Sequence, residues 1–241
     1  MPPQPEGAAA GHLAITGRTR VRRKRERGTH DRSVVDGILD EGLVCHVGVD
    51  DTDGPVVTPM AYARVGDHLY LHGAPGNRTL RLLAEGAPAC VTVTLIDGLV
   101  LARSAFHHSL NYRCVMLFGT GRPVDDEEKV VASRALLEHM AAGRSADARL
   151  PNDTELRSTL IVAFPVEEGS AKVRSGGPID DDEDLASPIW AGVVPFALVA
   201  GAPVPDTGLP TGTATPAYVD PYPARGKSPA PEPRTASRSE H

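Results

Sequence analysis

Two segments of the chain combine residue types that can bind an anionic group. The first, residues 67–81, reads as an alternating strand that runs through a glycine turn into the start of a helix. This order places His72, Asn77 and Arg78 near free backbone N–H groups, which attract anions at helix starts. The second, residues 103–113, offers two guanidinium groups and several hydroxyls before another strand. Because phosphate selects these donors, the sequence predicts a site for a phosphorylated cofactor.

The arginines of these segments are the candidates for contacting the phosphate. Arg78 lies at the predicted helix start, and Arg113 follows Ser109, Asn111 and Tyr112. A guanidinium group suits phosphate better than an ammonium group because it donates two parallel hydrogen bonds. The residues alone leave one alternative open, since a surface arginine that is solvated or paired with an aspartate has the same local sequence.

Short strand-like segments joined by tight turns dominate the chain, with helical patterns between them. Asp31 can cap a helix that ends at Gly42. A run of acidic residues from Asp125 favours the start of a longer helix, and Asp97-Gly98 indicates a tight turn. The predicted strands are 43–49, 56–64, 68–72, 89–96, 99–102, 112–120, 160–164 and 171–174. We therefore expect a mainly β protein with peripheral helices, built as a closed antiparallel barrel.

Composition divides the chain into one domain and two tails. Residues 1–17 and 207–241 are rich in proline and small residues without apolar periodicity, so we expect both to be disordered. Residues 18–206 should form one domain that begins with a basic arm, because seven of the 25 Lys and Arg residues fall between Arg18 and Arg27. The acidic remainder would repel nucleic acid and anionic membranes, so we expect neither as a partner.

The predicted location of the protein is the cytoplasm. The sequence has no run of about 18 apolar residues that would predict a membrane span, and no apolar signal segment at its start. Cys45, Cys90 and Cys114 lie in apolar runs, and we expect free thiols in a reducing compartment. The histidines lack metal-ligand spacing, so no metal site is expected.

Seven short motifs in a fixed order resemble a known family. They are Arg-Val-Arg-Arg (20–23), Leu-Val-Cys-His-Val-Gly (43–48), Leu-Tyr-Leu-His-Gly (69–73), Ser-Leu-Asn-Tyr-Arg (109–113), Phe-Gly-Thr-Gly-Arg (118–122), Lys-Val-Arg-Ser-Gly-Gly-Pro (172–178) and Trp-Ala-Gly-Val-Val-Pro (190–195). This order is similar to the nitroimidazole-resistance (Nim-like) branch of the pyridoxamine 5'-phosphate oxidase-like, FMN-binding split-barrel proteins. The resemblance covers residues 20–206 and implies a split barrel, bound FMN and a homodimer whose two subunits build the flavin site.

The resemblance also implies roles for individual residues. Thr58, Pro59 and Met60 lie where related proteins lay backbone along the flavin ring. His72 lies where Nim-like proteins carry a histidine close to the flavin, and Trp190 belongs to a late segment that can approach the flavin of the partner subunit. Three of these residues have a structural alternative, with Met60 and Trp190 as core residues and His72 as a strand-end histidine bonded to backbone.

The expected function is that of an FMN-binding flavoprotein. We expect an oxidoreductase that passes electrons from a nicotinamide or another donor to a small electron-poor acceptor, such as a nitroaromatic compound. His72 is the catalytic candidate, because imidazole titrates near neutrality and can donate a proton. FMN is expected over FAD, since the sequence has no G-x-G-x-x-G turn. Two alternatives stay open, a flavin- or haem-binding protein without turnover and a deazaflavin-dependent reductase.

Overall fold

Strands make up most of the regular structure in the computed structural model, which describes residues 11–220 and residue 222. The strands are β1 (Gly28–Thr29), β2 (Val44–Asp51), β3 (Gly54–Val65), β4 (His68–Gly73), β5 (Pro88–Leu101), β6 (Ser109–Thr120), β7 (Arg122–Pro123), β8 (Leu160–Pro165), β9 (Glu168–Arg174) and β10 (Gly192–Pro195). The helices are α1 (Arg32–Glu41), α2 (Arg78–Ala84), α3 (Asp126–Met140), α4 (Arg144–Asp147) and α5 (Asp153–Arg157).

All strand pairs are antiparallel. The spatial order is β1-β9-β6-β5-β2-β3-β4-β8-β7, and β10 pairs with residues 98–101 of β5. The first described strand therefore pairs with the ninth, so that two distant parts of the chain meet in one sheet. The mainly β architecture with peripheral helices predicted from the sequence is confirmed.

The core follows the alternation of the strands. Along β2, Cys45, Val47 and Val49 are buried, and the residues between them face outward. Helix α1 starts at Asp31, whose Oδ1 accepts the Ser33 N–H at 2.8 Å, and it packs its apolar stripe on the same core. The largest fully buried side chains are Tyr62, Phe164, Leu39, Leu69, Leu71, Leu80, Leu83, Leu117 and Ile161.

Strand β5 differs from its sequence prediction. The tight turn predicted at Asp97-Gly98 is wrong, because the strand runs through this point with a register irregularity between Ile96 and Gly98. Strand β10 lies directly against it, and a Cβ on Gly98 would meet the carbonyl oxygen of Val194 at 2.7 Å. The glycine therefore permits the close approach of a strand from much later in the chain.

The described parts of both expected tails contact the domain. Leu13 is buried in the core, and its N–H donates to the His30 carbonyl at 2.8 Å. At the other end, the Tyr218 hydroxyl donates to Asp147 Oδ2 at 2.6 Å and accepts from Arg144. Leu13 and Tyr218 lie in the described parts of the two expected tails, residues 11–17 and 207–220. Residues 1–10, 221 and 223–241 of the expected tails lie outside the described residues.

Within the described residues, no helix is both long and apolar enough to cross a membrane.

Candidate functional site

One side of the sheet turns a row of apolar and small residues away from the core. Its strands are β2, β3, β5 and β6, and the register aligns Pro59, His46, Thr92 and Met116 across all four. We call this side the outer face, and its members are Val44, His46, Gly48, Val57, Pro59, Ala61, Thr92, Thr94, Cys114, Met116 and Phe118. Several of them are exposed, with Val57 64% exposed. Contiguous exposed apolar surface of this kind marks a binding or subunit interface.

Two histidines extend from this side of the sheet. His46 lies on β2, between the inward-facing Cys45 and Val47. His72 follows the buried Leu71 on β4 and therefore points away from the core, on the same side as Pro59. Among the residues that the structure describes, neither imidazole makes a hydrogen bond. Both histidines are therefore available to a ligand on the outer face.

The environment of His72 favours its neutral form. The side chain is exposed, but neighbouring groups desolvate it enough to lower its pKa from the usual value. Since a free imidazole titrates near 6.5, His72 is neutral at pH 7 and has one nitrogen that accepts and one that donates. A neutral imidazole can bind a metal ion or hydrogen-bond to a substrate.

Arg113, a predicted phosphate ligand, is held by two carboxylates. Its guanidinium donates to Glu41 Oε1 at 2.7 Å, to Glu41 Oε2, and to the two oxygens of Asp97 at 2.9 and 2.8 Å. The side chain is only 18% exposed. The hydrogen bonds that Arg113 donates to Glu41 and then to Asp97 raise its pKa, so the group stays protonated. With four N–H groups committed to carboxylates, Arg113 matches the ion-paired alternative.

Arg78, the other predicted phosphate ligand, is also paired with acidic residues. Its Nε bonds to Asp51, and its second terminal nitrogen lies 3.1 Å from Asp53 Oδ2. The neighbouring Asn77 caps helix α2, since its Oδ1 accepts the Leu80 N–H at 3.0 Å. Unlike Arg113, Arg78 is half exposed, so an anionic ligand could compete for it.

The two arginines lie at opposite ends of the barrel. Arg78 pairs with residues at the end of β2, whereas Arg113 pairs with Glu41, just before β2 begins. Eight residues of extended strand span roughly 23 Å at about 3.3 Å per residue. Within one chain, Arg78 and Arg113 therefore cannot contact the same phosphate group.

The residues expected along the flavin ring divide between two sides of β3. Met60 points into the core, and Thr58 shares its side, with Oγ1 2.8 Å from Thr79 Oγ1. Pro59 alone turns its side chain onto the outer face. The backbone of all three residues belongs to β3, one of the strands of the outer face. A ligand on this face would therefore contact the Pro59 side chain and backbone atoms of the strand.

The remaining candidates lie near the start of β6. Ser109 and Tyr112 are half-buried, whereas Asn111 is buried, with its amide nitrogen donating to the Gly176 carbonyl at 3.1 Å. Trp190 is exposed and covers Gly192 at the start of β10. The structure therefore does not place Trp190 in the core of this chain.

Arg174 is a charged residue to which the sequence analysis assigns no role. It lies at the end of β9, is only 6% exposed, and donates to three neutral oxygens, Asn111 Oδ1 and the carbonyls of Gly176 and Gly177. Desolvation, followed by repulsion from Arg27, lowers its pKa. The sequence does contain a pattern that could have pointed to Arg174. Lys172 and Arg174 are two residues apart, which places both side chains on the same side of β9.

Across the described ranges, no group of three or more His, Cys, Asp or Glu side chains is arranged to hold a metal ion.

The match to a family model decides the family. The model described as pyridoxamine 5'-phosphate oxidase matches residues 31–173, more than half of the chain. The chain belongs to the pyridoxamine 5'-phosphate oxidase family. This match covers β2 to β9 almost completely, and so contains the outer face, His72 and both predicted arginines.

Solved structures of similar proteins support the family. An FAD and heme binding protein from Mycobacterium smegmatis is 39% identical, with a TM-score of 0.78, over 80% of this chain and 96% of that one. The flavocytochrome Anf3 from Azotobacter vinelandii is 34% identical, with a TM-score of 0.79, over 85% and 96%.

The Nim-like resemblance is confirmed as well. A protein assigned to 5-nitroimidazole antibiotic resistance from Bacteroides thetaiotaomicron is 26% identical, with a TM-score of 0.51, over 61% of this chain and 86% of that one. A search of curated proteins found no match.

Proposed function

We propose that the protein is a flavin-binding oxidoreductase that holds its flavin on the outer face. The observation that carries this proposal is the exposed apolar surface of four strands, bordered by two histidines without hydrogen-bond partners in the described part of the chain. Bound flavin supplies hydride and single-electron chemistry, and the protein supplies position and polarity. The acceptor would be a small electron-poor molecule, and the electron donor a nicotinamide.

The residues of the outer face fit a flat aromatic ligand. Gly48 has no side chain, and Pro59 and Ala61 are compact, so a planar ring can approach the strands closely. Val44 and Val57 supply apolar contact beside them. Buried apolar area and a few polar groups at the rim are what cofactor sites require.

A homodimer would complete this site. The outer face is exposed in one chain, with Val57 64% exposed. Because a cofactor site buries most of its ligand, a flavin on this face needs a second wall. The segment around β10 also exposes several large apolar side chains, namely Ile189, Trp190, Phe196, Leu198 and Val199. Light scattering on cofactor-loaded protein tests this, and a monomeric mass would contradict the dimer.

A haem group is a second candidate ligand. Two of the similar solved structures belong to an FAD and heme binding protein and to a flavocytochrome. In this chain the neutral imidazole of His72 and the exposed His46 are suitable iron ligands, because histidine is a common axial ligand of haem. A protein with both groups would act as a flavocytochrome that passes electrons between them.

The choice of flavin is open to a direct test. FMN is the flavin predicted from the sequence, whereas FAD is named for the relative from Mycobacterium smegmatis, and we therefore place FAD first. The visible spectrum of freshly purified protein, with the mass of the extracted cofactor, identifies the group. FMN would support the sequence prediction, a deazaflavin would redirect the proposal, and protein that binds neither flavin nor haem would refute it.

Substitution of His72 tests its role at the outer face. We expect His72→Ala to leave flavin binding within a few-fold while lowering turnover of a nitroaromatic acceptor roughly a hundredfold, the usual scale for a lost proton donor. If His72 is the iron ligand, the same variant loses the haem absorbance instead. His108→Ala is the control, since that histidine bonds to the Ser104 carbonyl in a different loop. Unchanged turnover and haem content would exclude both roles.

The protonation of His72 gives a further test. Because its pKa is lowered in the folded protein, the unfolded chain binds this proton more readily, and acidification through about pH 6.5 destabilises the fold at this site. In the NMR spectrum of cofactor-free protein, the His72 imidazole should titrate below about 6.5. A midpoint above that value would show that a carboxylate or another acceptor stabilises its charged form.

A further inference from the structure

Arg174 stands out among the arginines because its buried charge has no carboxylate partner within the described residues. Eight other arginines each form an ion pair with an acidic residue. These pairs are Arg18–Glu168, Arg32–Asp36, Arg64–Asp40, Arg78–Asp51, Arg103–Asp180, Arg113–Glu41, Arg122–Glu128 and Arg149–Glu155. Arg174 is more buried than any of them, yet its acceptors in the described part of the chain are one amide oxygen and two carbonyl oxygens.

Positive charge gathers around Arg174. Lys172 lies two residues earlier on β9 and therefore on the same side of the sheet, where its ammonium group interacts with Cys114. Arg27 is close enough to repel Arg174, and its own contact to Glu26 is long, at 3.8 Å. Strand β1 fixes this arrangement, because Gly28 pairs with Lys172. The end of β9 and the residue just before the strand paired with it therefore contribute three cationic residues.

This arrangement is costly for a protein without a ligand. Burial of an ion without a counter-charge is strongly unfavourable, and repulsion from Arg27 adds to the cost. A guanidinium has five N–H groups, and Arg174 directs three hydrogen bonds to neutral oxygens, which leaves donors for another acceptor. Asn111 holds the guanidinium in place by accepting from it.

We propose that Arg174, with Lys172 and Arg27, binds an oxyanion carried by the redox cofactor. This inference rests on the proposed function. The ligand chemistry is a phosphate of the flavin or a propionate of haem, since a planar guanidinium binds both in a bidentate manner. The site lies on the outer side of β9, which is the strand next to β6 of the outer face. A cofactor on that face could therefore extend its charged end toward Arg174.

The competing explanation is purely structural. Arg174 could serve only to hold the turn at Gly176 and Gly177, whose carbonyls it contacts. In that case its removal would disturb every ligand equally, charged or not. The two explanations are separated by ligand pairs that differ only in the anionic group.

The experiment measures the binding of matched ligands to Arg174→Gln in the full-length protein. Calorimetry compares riboflavin with FMN and FAD, and haem with its dimethyl ester. Arg149→Gln is the control, because Arg149 lies away from β9 and is paired with Glu155 of α5. If the site binds flavin phosphate, FMN or FAD weakens roughly ten- to a hundredfold and riboflavin stays unchanged. If it binds a propionate, only haem weakens and the ester does not.

Other outcomes overturn the proposal. A structural role would follow if Arg174→Gln weakened the binding of riboflavin, FMN and FAD equally, and the binding of haem and its ester equally. If the binding of no ligand weakened, Arg174 would have no role in binding. If Arg174→Gln does not fold, the exposed-side variants Lys172→Gln and Arg27→Gln should give the same selective pattern at about three- to tenfold. If the wild type binds no cofactor, pyrophosphate binding that Arg174→Gln abolishes still supports an anion site, so the two proposals fail separately.

Discussion

Arg113 and Arg174 occupy neighbouring strands of one sheet and meet opposite electrostatic environments. The register pairs Arg113 with Val173 and Tyr112 with Arg174, so the two arginines are one step apart along the sheet. This single step turns their side chains to opposite sides. Arg113 meets Glu41 and Asp97, whereas Arg174 meets neutral oxygens and other cations.

The difference separates two uses of arginine. Charge compensation by two carboxylates raises the pKa of Arg113, while desolvation and Arg27 lower the pKa of Arg174. Arg113 joins the end of α1 to β5 and β6, and its interactions are complete without a ligand. Arg174 gains its best partner only when an anion arrives. The buried arginine without an acid is therefore the better indicator of a binding site.

The largest expected effect is on stability when Arg113 is removed. Arg113→Ala leaves Glu41 and Asp97 close together without their shared cation, and we expect the free energy of unfolding to fall by about 2–4 kcal/mol. Urea denaturation of cofactor-free protein measures it. Adding Glu41→Gln and Asp97→Asn should recover much of the loss. Normal stability with ten- to a hundredfold weaker flavin binding would instead restore Arg113 as the phosphate ligand.

Arg174 should respond in the opposite way. In cofactor-free protein, Arg174→Gln removes an uncompensated charge and keeps a donor for the glycine carbonyls, so we expect the free energy of unfolding to change by less than about 1 kcal/mol. The same denaturation experiment compares both variants directly. A loss as large as that of Arg113→Ala would mean that Arg174 is also a structural residue.

The smallest expected effect is a stabilisation by inorganic phosphate. A weak anion that binds only the folded state raises stability by RT ln(1 + [L]/Kd), which is a few tenths of a kcal/mol when [L] is close to Kd. Wild-type protein should therefore melt slightly higher in phosphate than in chloride at equal ionic strength. Arg174→Gln should lose this difference, and its persistence would place the anion elsewhere, such as at Arg78.

Local patterns predicted much of the fold. Alternation located β2, β3 and β4, and the capping Asp31 with an apolar stripe located α1. The turn at Asp97-Gly98 was mispredicted because the glycine serves a contact with β10, which no neighbouring residue reveals. An element can therefore be predicted where neighbouring residues determine it. The prediction fails where a contact with a distant strand determines it.

The candidate site was harder to predict for the same reason. Residue types alone give Arg78, Arg113 and Arg174 equal claims to a phosphate. What distinguishes them is a carboxylate from elsewhere in the chain, and Glu41 lies 72 residues before Arg113. The sequence placed His72 at the end of a strand, and in the structure it lies near the end of β4, while its role stays a prediction.

The pairing of β1 with β9 determines when this part of the sheet can form during translation and folding. Gly28 cannot meet Lys172 until nearly all of the barrel has been translated, so the basic arm emerges from the ribosome long before its partner strand. Contacts between such distant residues slow folding, because the intervening loop must close first. We therefore expect the cationic residues around Arg174 to be among the last parts of the barrel to come together, when β1 pairs with β9.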